Sequence, residues 1–318
     1  INDLNKAIDI SPRNIKYLKT KGELLSLIDE DINAKEVFDY LIKIEPNQPN
    51  HYLYRGIANH FLWYKKGSQY LESKKDRISD INKAIEMSPN NAVNHLLLGI
   101  FNETFVNPSK SIIFYDKAIQ IDPNYSLAYL RRSNAKQYSR DRFGAKLDLL
   151  KFKNLVPNTV IAEYKLARLE QWDENYKLSL KYIDQAILNL KNNYSPYPKD
   201  MITRAIRETS LETPEVNALL NLRGYINVKL GKDRESIIDY TAAIESIPKP
   251  VHRKDFLDLQ NFYNERAVGW YALGNGNQAC NDLIKSKELG AKAGVGLSED
   301  KRDWFNYMCE DHKGNIFD

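Results

Sequence analysis

Residues 81–90 read INKAIEMSPN, and nearly the same phrase stands at 4–13 (LNKAIDISPR) and at 115–124 (YDKAIQIDPN). In the copy at 81–90, Ile81, Ala84 and Ile85 recur at the i, i+3, i+4 spacing of one helix face, and Met87 follows. Asn82, Lys83 and Glu86 point elsewhere. Proline then ends the helix, because it has no N–H to donate and its ring clashes with the preceding turn. The Asn that often follows tolerates turn conformations. The phrase therefore predicts a helix and its stop.

The stops fall in phase. Pro12, Pro46, Pro89, Pro123 and Pro157 are separated by 34, 43, 34 and 34 residues. Weaker copies of the phrase are FDYLIKIEPN (38–47), LLKFKNLVPN (149–158), IDQAILNLKN (183–192), YTAAIESIPK (240–249) and LIKSKELGAK (283–292). An alanine recurs at the fourth position, as Ala7, Ala84, Ala118, Ala186 and Ala243, which predicts a neighbouring helix packed close against it. Upstream of each phrase lies a second helical pattern with a small residue inside it: Gly22, Gly56, Gly99, Ser133, Ala167, Gly224 and Ala267. Glycine inside a helix costs about 1 kcal/mol relative to alanine, so its recurrence at one register argues for close helix–helix approach. Each unit is thus a helix, a short turn and a second helix.

In these features the chain resembles the tetratricopeptide repeat family, in its bacterial form: the 34-residue period, the small residue of the first helix, the alanine of the second and the closing proline. The family's Trp near the start of the first helix is here Leu18, Tyr52, His95, Tyr129, Glu163, Leu220 or Tyr263. The resemblance implies an all-α fold, a right-handed α-solenoid of helix-turn-helix repeats, over almost the whole of 1–318 as one domain. A partial repeat covers 1–14, and full repeats cover 15–48, 49–91, 92–125, 126–159, 160–193, 217–250 and 260–293. The period is interrupted at 63–76, at the 194–216 insertion and around 249–258. In the second of these, MITRAIRE (201–208) has helical spacing, and Thr213 and Pro214 read as the start of the next helix. SEDKRDWFNYMCE (298–310) reads as a capping helix on the last repeat.

Chemistry is harder to find. With 318 residues, 42% hydrophobic and 28% charged, the composition is globular, and the net charge of +4 is too small to argue for nucleic acid. No apolar run approaches the roughly 18 residues that span a membrane. There is no H-E-x-x-H, no phosphate-binding glycine loop and no G-x-S-x-G, and the five histidines are scattered. The reading is of a protein that is not an enzyme, with no cofactor and no metal. Arg132, Lys136 and Arg140 share a helix face, but Arg55, Arg223 and Arg266 stand at the register of Arg132, as a structural habit would have it. Cys280 and Cys309 are the only cysteines, and two readings stand: buried thiols, or a pair.

The resemblance also implies where a protein or peptide partner binds. In the family the first helices line a concave groove. Its positions map here onto Leu53, Ile57, Phe61, Leu96, Ile100, Leu130, Asn134, Tyr138, Tyr164, Arg168 and Trp172, with Gln171, Asn221, Tyr225, Asn261, Asn264 and Tyr271 continuing the face. The middle of that set is apolar. It is either an open groove for a peptide or helix, or core filled by curvature or by an insertion. The leading expectation is an interaction scaffold. The alternative is an accessory region of a longer enzyme or sensor whose active domain lies upstream of residue 1.

Overall fold

The computed structural model describes residues 2–66, 71–103, 108–191, 202, 203, 205, 214–293 and 309. Among the described residues there are fifteen α-helices and no strand. They divide into two compact units.

Unit 1 comprises Ile1–Pro157 and Ser195–Glu212. Its helices are α1 (Asn2–Ile10), α2 (Ile15–Leu27), α3 (Asp31–Ile44), α4 (Pro49–Lys66), α5 (Leu71–Met87), α6 (Ala92–Glu103), α7 (Ile112–Ile121), α8 (Ser126–Tyr138) and α9 (Arg142–Leu155). They pack as the pairs α2/α3, α4/α5, α6/α7 and α8/α9, and each second helix also packs on the first helix of the next pair. Unit 2 comprises Asn158–Tyr194 and Thr213–Asp318. It repeats the scheme with α10 (Val160–Trp172), α11 (Tyr176–Lys191), α12 (Val216–Lys229), α13 (Asp233–Glu245), α14 (Arg253–Ala272) and α15 (Gly276–Lys292).

In five of the seven pairs the turn inside the pair is a helix C-cap. The second residue beyond the first helix takes a positive φ at Asp29 (70°), Arg140 (63°), Glu174 (60°), Gly231 (69°) and Gly274 (75°). The next residue donates its N–H back across the turn, from Glu30 to Leu25, Asp141 to Lys136, Asn175 to Glu170, Lys232 to Asn227 and Asn275 to Trp270, all at 2.8–2.9 Å. This is the Schellman arrangement, which satisfies carbonyls the helix leaves open.

Gly56, in the lengthened α4/α5 pair, meets Ile81 and the Arg77 carbonyl; in the other six pairs the small residue of the first helix is matched to the residue sixteen positions on, in the second helix. A Cβ on Gly22 would sit 2.7 Å from the Phe38 ring, and one on Gly224 would sit 2.9 Å from the Tyr240 ring. Gly99 meets Tyr115 in the same way. Where the small residue is Ser133, Ala167 or Ala267, the position sixteen residues on is Leu149, Ile183 or Leu283. Volume is traded across the pair: glycine faces an aromatic ring, and serine or alanine faces an aliphatic side chain. All six of the larger partners are fully buried.

The recurring arginine fastens three helices. Arg132 donates Nε and Nη2 to Asp148 of its own pair and Nη1 to Asp116 of the preceding pair, at 2.6–2.9 Å. Arg55 does the same with Asp80 and Asp39, and Arg223 with Asp239 and Asp184. Arg266 grips Asp282 and reaches back to the Thr241 hydroxyl. Bidentate pairing of this kind fixes geometry as well as charge. Arg132 and Lys136 both hold Asp148, which accounts for two of the three cations on the basic face. At the family's Trp position, Tyr52 and Tyr129 donate their hydroxyls to the carbonyls of Pro46 and Pro123 at 3.0 Å, and His95 lies 2.9 Å from that of Pro89.

The interruptions of the period lengthen helices. The nine extra residues around 63–76 extend α4 to 18 residues and α5 to 17. Those around 249–258 start α14 at Arg253, ahead of the expected 260, and give it 20 residues. Helix α12 begins at Val216 with Glu215 as its N-cap, so Pro214 precedes the helix, and Thr213 lies outside the described residues. Of MITRAIRE, Ile202, Thr203 and Ala205 are described and helical, and the last two are buried. Of the expected capping helix at 298–310 only Cys309 is described. It is bonded to Cys280 of α15, with Cα atoms 5.4 Å apart, in a cluster with Ala267, Ala279 and Leu283.

Candidate functional site

The eleven groove positions part into two groups. Leu53, Ile57 and Phe61 on α4, Leu96 and Ile100 on α6, and Leu130 on α8 are at most 2% exposed. Asn134 on α8 is buried too. Of the two readings left open for this apolar set, groove or core, these side chains of unit 1 take the second: they are interior. Tyr138 on α8 is 75% exposed and Trp172 on α10 is 41% exposed, while Tyr164 and Arg168 are half-buried.

What fills the interior of unit 1 includes charge. His60 on α4 is fully buried and stacks on Phe101 of α6 with ring centroids 4.3 Å apart. Arg77 of α5 is also fully buried; its Nη1 lies 2.7 Å from His60 Nδ1, and its Nη2 donates to the Phe101 carbonyl at 2.9 Å. Burial, with Arg77 and Arg131 nearby, pushes the His60 imidazole well below its usual value, so the ring is neutral and Nδ1 accepts from the guanidinium. Burial likewise brings Arg77 down to about 9. Its guanidinium lies 4.7 Å from the Trp63 ring centroid. Arg131, buried beside it, meets Glu103 at 3.4 Å. This closed cluster explains why α4 and α6 present no open apolar face.

Unit 2 is different. The first helices α10, α12 and α14 line one cavity of 320 Å³. Tyr164, Arg168 and Gln171 come from α10, Asn221 and Tyr225 from α12, and Asn261 and Glu265 from α14. These helices touch one another lightly, through α10/α12 and α12/α14, since each is fastened mainly to second helices. The space between their exposed faces is left open. Arg168 Nη1 donates to the Tyr164 hydroxyl at 3.2 Å, and its guanidinium lies 5.2 Å from the Trp172 ring centroid. The amides of Gln171, Asn221 and Asn261 make no protein hydrogen bond among the described residues.

The groove positions thus bring Tyr164, Arg168, Gln171, Asn221, Tyr225 and Asn261 together. Reading first helices alone missed Tyr240, which reaches the cavity from α13 behind Gly224. The available signal was a tyrosine at the interior position facing a glycine. Glu265 was missed because it falls one residue past a groove position. Among the described residues no group of three or more His, Cys, Asp or Glu side chains could hold a metal ion, and no helix is long and apolar enough to cross a membrane.

No family model matches the sequence. The chain is 25% identical over 219 residues to anaphase-promoting complex subunit 3 of Schizosaccharomyces pombe, a match that takes in 68% of this chain and 30% of that protein. The chain thus spans under a third of the length of this curated relative. Among solved structures, the C-terminal part of a TPR repeat-containing protein from Cytophaga hutchinsonii is similar over 91% of this chain and 98% of its own, with a TM-score of 0.60 and 14% identity. YrrB, described as a TPR protein with an unusual peptide-binding site, is similar over 66% of this chain and 91% of its own, with a TM-score of 0.51 and 18% identity. The in-phase prolines, the stacked helix pairs and these likenesses agree that the chain has the fold of a tetratricopeptide repeat solenoid.

Proposed function

We propose that the chain is a non-enzymatic scaffold that holds an extended partner polypeptide across the first helices of unit 2. The observation that carries this reading is the cavity itself. Three successive first helices contribute side chains to one opening, and its amides have no protein partner to release before they bind. Tyr164, Arg168 and Trp172 are the groove positions that carry it, and in unit 1 Tyr138 is the position left accessible. The reading is supported by the kinship with a subunit of a multiprotein complex and by the likeness to a peptide-binding protein of the same fold.

A site-specific photo-crosslinker tests it. Placed at Asn221, it should yield adducts with a defined set of polypeptides from the native cell. Placed at Ile238, which is 65% exposed on α13, it should yield none. Adducts from Ile238 and none from Asn221 would move the binding face to the second helices and overturn the reading.

A further inference from the structure

We propose that the cavity of unit 2 takes the carboxylate side chain of an aspartate or glutamate within the partner peptide, docked on Arg168 and the Tyr240 hydroxyl. This rests on the scaffold reading above.

Arg168 stands apart from the repeating arginines. Arg55, Arg132, Arg223 and Arg266 each grip an aspartate. Arg168 lies two residues past that register, and its contacts are the Tyr164 hydroxyl and the Tyr164 and Trp172 rings. Its Nε is buried with no hydrogen-bond partner. Tyr240 lines the same cavity, is fully buried, and its hydroxyl also has no partner. Both orphans are donors. The Nε–H of arginine can only donate. Burial, with Glu265 and Asp239 nearby, pushes the Tyr240 hydroxyl up, so it keeps its proton. Two unsatisfied donors on side chains that line one cavity call for an acceptor, and a guanidinium held between two rings selects a planar carboxylate.

The source is a side chain within the peptide. Gln171, Asn221 and Asn261 spread over α10, α12 and α14, so backbone amide partners are available along a strand crossing all three helices. Glu265 lines the same cavity and opposes any anion there, which limits the site to a single carboxylate.

The test screens the full chain against a random library of acetylated, C-terminally amidated peptides, which carry no terminal carboxylate. Enriched sequences should share an Asp or Glu. In a synthetic copy of the best one, changing that residue to Asn or Gln should weaken binding at least tenfold. Arg168→Gln should weaken it equally with helicity unchanged, Tyr240→Phe should weaken it severalfold, and Glu265→Gln should tighten it severalfold. Peptides that bind without an acidic residue, and equally well to Arg168→Gln and Glu265→Gln, would overturn the carboxylate anchor and leave the scaffold reading standing. No enrichment by the wild-type chain would overturn both.

Discussion

At the scale of single residues, the pairs are specified by complementary volumes. Gly22 and Phe38 form one such couple, and neither tolerates change alone. Gly22→Ala would place its methyl group 2.7 Å from the ring, inside van der Waals contact, and should cost roughly 1–3 kcal/mol despite alanine's better helix propensity. Phe38→Leu alone should cost a similar amount by leaving a cavity. Together they recreate the small-to-aliphatic couple seen at Ala167 and Ile183, so the double variant should lose less than the sum of the two, by about 1 kcal/mol in a denaturant-melt cycle. Strict additivity would mean the two side chains do not bear on each other. Leu96 gives a contrasting test. At a groove position it was a candidate contact, but it is fully buried. Leu96→Asp should therefore unfold unit 1, costing about 4 kcal/mol or more for an unpaired buried charge. An unchanged melting temperature with lost partner binding would restore it to the surface.

At the scale of elements, the turn described in five of the seven pairs is one device written with different residues. Gly231 and Gly274 adopt the positive φ freely, whereas Asp29, Arg140 and Glu174 adopt it against the clash of their own Cβ. The Schellman hydrogen bond forms in all five, so the helix ends overrule local preference. Glu174→Gly should therefore stabilise unit 2 by about 0.5–1 kcal/mol, the relief of strain exceeding the entropy that glycine adds to the unfolded chain. The urea midpoint would rise with an unchanged slope. Gly231→Ala should shift it the other way. If both changes are neutral, the turn is not conformationally demanding. The arginine fastenings belong to this scale as well, since each ties a first helix to the second helices on either side.

At the scale of the whole molecule, the fold was legible because a period of 34 leaves the same mark seven times. Proline stops, small residues and alanines each report helix packing, and packing is what repeats. The site was only partly legible. Position within a unit says which way a first helix turns its side chains, and that brought Tyr164, Arg168, Asn221 and Asn261 to one cavity. It says nothing about depth. Leu53, Ile57 and Leu96 occupy groove positions yet are interior, because His60, Arg77 and Phe101 occupy unit 1 in a way no repeat pattern encodes. The cysteine pair was equally invisible to the period, since its two members lie in a repeat and beyond the last one. Joining Cys280 to Cys309 closes a loop of 29 residues, which restricts the unfolded chain more than the folded one. In the chain-entropy account that is worth about 3.6 kcal/mol. Dithiothreitol should therefore lower the melting temperature of the oxidised wild-type chain by several degrees. The Cys280→Ser, Cys309→Ser double variant should melt at that lowered temperature whether or not reductant is present. A wild-type chain that titrates two free thiols after non-denaturing oxidation, and melts alike in both buffers, would show that the last repeat is held by its packing with Ala267, Ala279 and Leu283 alone.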